Sequence, residues 1–597
     1  MLLGLTLLLP LTVVAVLAGA GTLGPSGAHR LRRVTTLASP LAVLPAVALT
    51  LVANQPELEI PWLLFGTEFS VDPAGRSLTL IAALLYGAGL MAVNWVQIRH
   101  SEPNPGALSA FLLVCFTGNI GTYLAADASS FYLSFTVMSF SAAGLVIHYR
   151  HSAARRATRI YLVLSVLSET AILTGLVLTV AAGGYELAEA PTAVSASPHT
   201  GLIVTLLLIG FGVKAGTVPL HVWLPLAHPA APPAASAVLS GAMVKAGLIG
   251  WLRFLPNEHD DGGALAAAGA TLLVLALVGA FAAVVVGVLQ QDPKVVLAYS
   301  TISQMGFITA LVAGGMMHPE LAPATSAAAV LYAVHHGLAK GVLFLGVPVI
   351  KRFGQGWTGV LVVIGMVGAG LALAGAPLTT GAYAKYASKE SVQGITVLGV
   401  GVEYLLPLVA TGSILLLIRL GLVLSLSERE SRRPDGELIS WLALCAAGAA
   451  VPWLLGQHWI PEAGDFSWSA SALWDASWPI LLGLGLGGAV GRLTAGGLLP
   501  ARRRTEGAGV QPGDLIVVQE SLAGRGSQAG VQLADRTHTV MDRWGERFAA
   551  GAAAAADLTR RAVVVGERGL ADWHRSGAVI LGLLVGVVVV LAWGWLL

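Results

Sequence analysis

Charge is what this sequence has least of. Only 11% of its 597 residues are Asp, Glu, Lys or Arg, against 55% hydrophobic, and the mean hydropathy is +0.77. Soluble domains carry about a quarter charged residues. The deficit excludes a soluble globular fold of this size and points to a polytopic membrane protein. A formal net charge of +2 is too small for a nucleic-acid footprint, and the basic residues stand in short clusters between apolar runs. Cysteine is nearly missing too. Cys115 and Cys445 fall in separate apolar runs with no CxxC pair, which argues against a disulfide framework, a zinc site or an iron–sulfur cluster held by this chain alone. No cofactor or metal is expected to be bound by the chain itself.

Apolar sequence is what remains, in lengths of about 20 residues that suit about 30 Å of hydrocarbon. Such runs begin near positions 2, 34, 78, 106, 128, 158, 200, 234, 264, 295, 323, 357, 400, 438, 476 and 576. They predict an all-α fold with sixteen transmembrane helices. The first run lacks the basic n-region of a signal peptide and is followed by many like it, so it reads as the first span. Basic residues gather in alternate loops, at 29–33, 148–159, 351–352, 427–433 and 501–504, while the loops at 184–200, 256–263 and 458–466 are acidic or neutral. The positive-inside rule then places both termini on the outer side of a bacterial-type inner membrane, which requires an even number of spans.

The predicted divisions are N-terminal helices over 1–105, a translocation core over 106–430, further spans over 431–510, an amphipathic segment over 511–575 and a terminal span over 576–597. In the fourth, Leu515, Val518, Leu522, Val531, Leu533, Val540, Met541, Trp544 and Phe548 recur at helical spacing. A helix of about 60 residues extends about 90 Å, too long for a loop, so it is expected along the membrane surface against other subunits. A linker is the alternative, given Gly524, Gly526 and Gly530. The GLGLGG at 483–488 matches GxGxxG, but it lies inside an apolar run with no preceding strand, so close helix packing explains it better than a nucleotide.

Charged residues inside spans are costly and therefore functional candidates. They are Glu169, Lys214, Lys245, Lys340, Lys385, Glu403 and Arg419, joined by His335 and His336. The four lysines fall in four different spans. Gly216, Pro219 and Pro225 follow Lys214, and Pro377 and Gly381 precede Lys385, so both helices are expected to break. Irregular backbone at that depth is tolerated where protein or a hydrated cavity covers it. His336 and Lys340 share a helix face. At an effective dielectric of about 20, a carboxylate about 6 Å away stabilises an ammonium by about 3 kcal/mol. Making and breaking one such pair is enough to tip a buried lysine between holding and releasing a proton. The bland reading is snorkelling toward the interface, which fits Lys385, Arg419 and Glu403 better than it fits Lys214, Lys245 or Lys340.

Three ordered stretches, KAGTVPLHVWLPLAHPAAPPAASAVLSGAMVKAG, DPKVVLAYSTISQMGF at 292–307 and HHGLAKGVLFLG at 335–346, resemble the antiporter-like proton-channel subunits of the complex I superfamily. The resemblance covers roughly residues 60–430, and YLVLSVLSE at 161–169 and MSFSAAGLV at 138–146 lean toward the hydrogenase-4-like branch. It implies two internal repeats with broken helices and a C-terminal lateral helix. It also implies a proton relay through Lys214, Lys245, His335, His336, Lys340 and Lys385. His221 and His228 become candidates for proton uptake, and Glu390 and Glu403 for release. The implied partners are other membrane subunits, lipid, and protons or sodium ions, with energy from an electron-transfer module or an opposing ion gradient.

One departure stands out. Where the family carries a glutamate that pairs with the first channel lysine, this chain reads FTVMSFSAA, with Thr136 in its place. Either Glu169 on the next helix replaces the lost carboxylate, or the subunit is a passive scaffold. On sequence alone, Glu169→Gln is expected to abolish proton flux and Thr136→Val to leave it unchanged. A further alternative is the ion-translocating partner of an inorganic-carbon uptake complex.

Overall fold

A computed structural model describes residues 1–20, 25–52, 56–63, 66–99, 104–256 and 263–495. The expected lateral helix at 511–575 and the terminal span from 576 lie outside the described residues. Among these, fifteen helical stretches are long and apolar enough to cross a membrane. Each corresponds to one of the first fifteen apolar runs. The multi-pass, all-α reading therefore holds for the described residues.

α1 (Leu2–Gly19) precedes a second span built from α2 (Pro25–Ala38) and α3 (Leu44–Leu51) around a 3-10 turn at Ser39–Val43. A small hairpin follows, β1 (Leu58–Ile60) antiparallel to β2 (Thr67–Phe69), with Leu58 opposite Phe69 and Ile60 opposite Thr67. Next come α4 (Pro73–Ile98), α5 (Pro105–Leu124), α6 (Ala128–Val146) and α7 (Ser152–Ala181). The short α8 (Ala190–Ala196) leads into a broken span, α9 (Thr200–Ala215) and α10 (Trp223–Ala230), and then into α11 (Pro233–Val238) and α12 (Lys245–Phe254), joined by a π-turn at Leu239–Met243. The remainder is α13 (Ala264–Gly287), α14 (Pro293–Met317), α15 (Ala322–Phe353), a second broken span of α16 (Gly356–Ala374) and α17 (Thr380–Ser391), a short β3 (Thr396–Val397) and β4 (Val400–Gly401) hairpin, and α18 (Val402–Ser425), α19 (Gly436–His458) and α20 (Ala470–Ala495).

Local chemistry sets many of these boundaries. Asp72 and Asp292 are followed by Pro73 and Pro293, and each carboxylate accepts from a backbone N–H of the first turn, Gly75 at 2.8 Å and Lys294 at 2.7 Å. An acidic cap followed by a proline that lacks an N–H removes several of the orphan donors of a helix start. Asp127 caps α6 by accepting from Ser129 and Ser130, and with its other oxygen it accepts from the Glu68 N–H at 2.6 Å, which ties the β2 strand to that helix.

Spans alternate in direction, so the loops rich in Lys and Arg share one end of the bundle, here the basic end, and the two hairpins share the other. The seventh and twelfth spans are the broken ones. Five spans apart is an odd number, so they run in opposite senses, as two inverted repeats require. At the centre lies α14, buried at every residue from Val295 to Met316. Around it sit α11–α12 and α15, each of them almost wholly buried. The peripheral helices α16, α19 and α20 carry their apolar side chains outward, as lipid-facing surfaces do.

A charged knot closes the basic end. Glu437, only 4% exposed in its side chain, accepts from Arg99 and from Arg352 at 2.5 Å each, while Arg99 also reaches Asp435. The knot fastens the start of α19 to the ends of α4 and α15.

Candidate functional site

The two broken spans are built alike. α9 ends at Gly216 with φ +74° and α16 at Gly375 with φ +82°, the left-handed turn that glycine adopts without penalty. Each break frees carbonyls that would otherwise accept within the helix. In the first, the Trp223 indole N–H donates to the Val213 carbonyl at 2.7 Å. In the second, the Lys385 ammonium donates to the Ala374 carbonyl at 2.8 Å. The second lysine is thus a helix-end cap, where a cation is favoured by the dipole.

Lys214 lies in the last turn of α9, 2% exposed. Its Nζ donates to the Ser139 hydroxyl and to the Tyr161 hydroxyl, both at 2.9 Å, beneath the rings of Phe135 and Trp223. Tyr161 in turn donates to the Ser139 carbonyl at 2.7 Å. Glu169 is buried on α7 but forms no ion pair with Lys214. One of its oxygens accepts from the Thr136 hydroxyl at 2.8 Å and the other has no protein partner. Ser139 lies beside both the carboxylate and the lysine. The residue found where the family has glutamate therefore holds the carboxylate that the chain does carry.

The centre is denser. The π-turn passes the Val244 N–H back to the Leu239 carbonyl, which leaves the Ser240 carbonyl without its usual helical donor. Lys245 supplies one, donating to Ser240 at 2.7 Å, and its Nζ lies 2.9 Å from His336 Nδ1. The Ser240 hydroxyl meets Thr301 at 2.7 Å, Thr301 donates to the Leu297 carbonyl at 3.0 Å, and Lys340 donates to that same carbonyl at 2.9 Å. Lys245, His336 and Lys340 are all fully buried. The sequence put Lys245 on one span and His336 with Lys340 on another; the fold brings them into one connected polar set.

Toward the second break, His335 Nδ1 lies 2.9 Å from the Thr380 hydroxyl at the start of α17. Its ring meets that of Tyr332 edge-on, Tyr332 donates to Gln304, and Gln304 donates to Ser413 at 2.9 Å. None of the four lysines forms an ion pair with a carboxylate among the described residues. Carbonyls and neutral groups hold them instead. An ion pair at about 6 Å would add about 3 kcal/mol to the charged form. A lysine 2.9 Å from an imidazole nitrogen, with no such anchor, is placed to exchange a proton with it.

His228 is fully buried near the basic end, stacked 4.5 Å from Phe344, with no protein partner at either ring nitrogen. Lys294 lies close by and donates to the carbonyls of Pro229 and Ala231. His221 is buried in the turn between α9 and α10. At the other end, a cavity against Lys385 is lined by Lys389 and Asp475, which are paired at 2.6 Å. Neither Glu390 nor Glu403 lines it: Glu390 is exposed and accepts from Gln393, and Glu403 sits in the first turn of α18. Arg419 donates to the Gln290 carbonyl at 2.7 Å. Sequence reasoning missed Ser139, Tyr161, Thr301, Gln304, Thr380 and Asp475. Hydroxyls and amides cost less than charges in spanning helices, and Asp475 lies near a span end, so only their spatial convergence exposes them.

Residues 125–395 match the family described as NADH:quinone oxidoreductase/Mrp antiporter, transmembrane region. That interval contains both breaks and every lysine and histidine of the polar set. Over this interval the chain is similar to the antiporter-like subunits of the complex I superfamily. Hydrogenase-4 component B of Escherichia coli is 32% identical over 279 residues, covering 45% of this chain and 41% of that one. NADH-quinone oxidoreductase subunit M of Escherichia coli is 29% identical over 313 residues, covering 49% and 58%. The chain thus spans about half the length of the curated relatives it matches. The solved Mrp complex of a Dietzia species aligns with a TM-score of 0.69 at 20% identity, over 88% of this chain and 60% of the matched one. At that identity the likeness speaks for the fold.

Proposed function

We propose that this chain is the proton-translocating subunit of a multi-subunit membrane assembly related to complex I. Protons enter at the basic end near His228, pass through Lys340, Lys245 and His336, and leave past His335 and Lys385 beside the Lys389–Asp475 pair. Lys214, with Ser139, Tyr161 and Glu169, is the switchable end of the same line. The observation that supports this most is the contact between Lys245 and His336 at 2.9 Å with no carboxylate anchoring either. Both partners are buried, both can carry the proton, and neither is pinned in one charge state.

Redox cofactors belong, in this reading, to partner subunits, and the energy comes from electron transfer or from an opposing gradient of protons or sodium ions. The basic end faces the cytoplasm of a bacterial-type inner membrane. The test is Lys245→Ala in the full-length chain, reconstituted into vesicles together with the subunits that copurify. Proton flux should stop. Undiminished flux would remove the lysine relay. The copurifying proteins decide the assembly: iron–sulfur or quinone-binding partners fit a redox machine, and a zinc-bearing peripheral partner fits inorganic-carbon uptake instead.

A further inference from the structure

Basic residues at the end of a span set its topology, but topology does not fix where their side chains point. On α2, His29, Arg32, Arg33 and Thr36 follow the i, i+3, i+4, i+7 spacing of one helix face. All four line a groove of about 700 Å³ between α1, α2 and α5 at the basic end. Its walls are otherwise mainly apolar, with Leu17 and Ala18 from α1 and Ala107 and Ala110 from α5. α2 is held in this attitude from α4, where the buried Asn94 and Gln97 side chains donate to the carbonyls of Leu37 at 2.8 Å and Arg33 at 3.3 Å.

Charge decides what fits. Among the described residues no Asp or Glu lines the groove, whereas Arg99 and Arg352 at the same end are held by the carboxylates of Asp435 and Glu437. The exposed Arg32 and Arg33 side chains present two guanidinium groups, whose forked donors match a phosphate. α5 begins in the same wall at Pro105 without a side-chain cap, so the positive end of its dipole adds to that field. Depth decides further. His29 to Thr36 spans about 10 Å at 1.5 Å per residue, against about 5–7 Å for the headgroup layer of one leaflet. The groove therefore starts among headgroups and continues into hydrocarbon. We infer that it binds one anionic phospholipid, with the phosphodiester on Arg32 and Arg33 and the upper part of an acyl chain along Leu17 and Ala110. A free phosphate would use the rim alone and leave the apolar wall uncovered. Such a site needs no proton relay and stands or falls apart from it.

Native mass spectrometry of the full-length chain with its copurifying subunits supplies the test, with phosphatidylglycerol, zwitterionic phosphatidylcholine and inorganic phosphate as probes. The native chain should retain phosphatidylglycerol in preference to phosphatidylcholine and should not exchange it for inorganic phosphate. A basic residue near an anionic surface contributes roughly a factor of five in affinity, so Arg32→Gln with Arg33→Gln should weaken phosphatidylglycerol binding about twenty-five-fold. Arg30 lies on the same helix turn but does not line the groove, and Arg30→Gln should stay within about twofold of native. Ala107→Trp fills the groove, leaves every charge in place and should also shed the lipid. If Arg30→Gln costs as much as Arg32→Gln alone, the attraction belongs to the whole surface and the site is overturned. Displacement by inorganic phosphate overturns the lipid, and loss of a copurifying subunit with the lipid retained makes the groove a protein contact instead. Should removing two basic residues disturb insertion, Ala107→Trp alone decides: native retention overturns the site and a loss supports it.

Discussion

Thr136→Val is the substitution on which the sequence and the structure disagree. On sequence alone it should be silent, since threonine there looks like the mere absence of a glutamate. In the structure its hydroxyl donates at 2.8 Å to Glu169, and the other Glu169 oxygen has no protein partner. Valine keeps the volume and the branched shape and removes only the donor. A hydrogen bond to a charged group contributes about 1.5–3 kcal/mol, and about 1.4 kcal/mol is a factor of ten. The charged carboxylate therefore becomes about ten to a hundred times harder to maintain. If Glu169 must be charged to draw on Lys214 through Ser139, Thr136→Val should slow proton flux about tenfold or more. Thr136→Ser, which restores the donor, should return it to near native. The assay is dye-monitored acidification of proteoliposomes, with Glu169→Gln as reference. Native flux in Thr136→Val beside a dead Glu169→Gln refutes the role given to this hydrogen bond. Native flux in Glu169→Gln refutes the role of the carboxylate.

Other outcomes follow from the same geometry. Asp475→Asn breaks a half-exposed pair with Lys389; such pairs contribute about 0–1 kcal/mol, so the heat-unfolding midpoint should not move while proton release slows, and a shifted midpoint would make the pair structural. Glu437→Leu strips the buried acceptor from Arg99 and Arg352, a loss of about 3–5 kcal/mol that should appear as a lowered unfolding midpoint in detergent; an unchanged midpoint refutes the fastening of α19. Thr380→Val removes one neutral partner of His335, about 0.5–1.5 kcal/mol, and should slow flux by about tenfold at most, so a complete loss would show that Thr380 itself carries the proton. At the acidic end, partial burial and then the charges of Glu57, Glu59 and Asp127 raise the proton affinity of Glu68 above its ordinary value, and Glu186 is raised in the same way. The folded state thus holds more protons than the unfolded chain just above the usual carboxylate range, so stability there falls as pH rises through that window; Glu68→Gln should flatten that pH dependence in amide hydrogen exchange of the α6 start, and an unaltered profile counts against it.

The sequence already contained most of this architecture, for reasons that can be named. Hydrocarbon thickness fixes the length of a span, so the apolar runs located fifteen helices directly. Gly216 with Pro219, and Pro377 with Gly381, announce the two breaks because neither residue type continues a helix quietly. The π-turn at Leu239–Met243 had a weaker sign: LSGAM holds Gly241 but no proline, and the turn is stabilised by Lys245 and Tyr123 from outside itself. The β1–β2 hairpin was missed because two three-residue strands fall below any periodicity. Within the site, the lysines and histidines were visible because they are expensive where they sit. Asp475 was not singled out, because it lies near the end of a span where a carboxylate costs little. Of the carboxylates near this end, the one lining the cavity beside Lys385 is Asp475 on α20.

α14 has one more consequence. Because protein encloses it on all sides within a single chain, lipid tails never touch the innermost polar groups, whatever docks outside. Under the proposed function, the relay then carries its own insulation. Partner subunits seated on the outer helices would be exchangeable without reopening it.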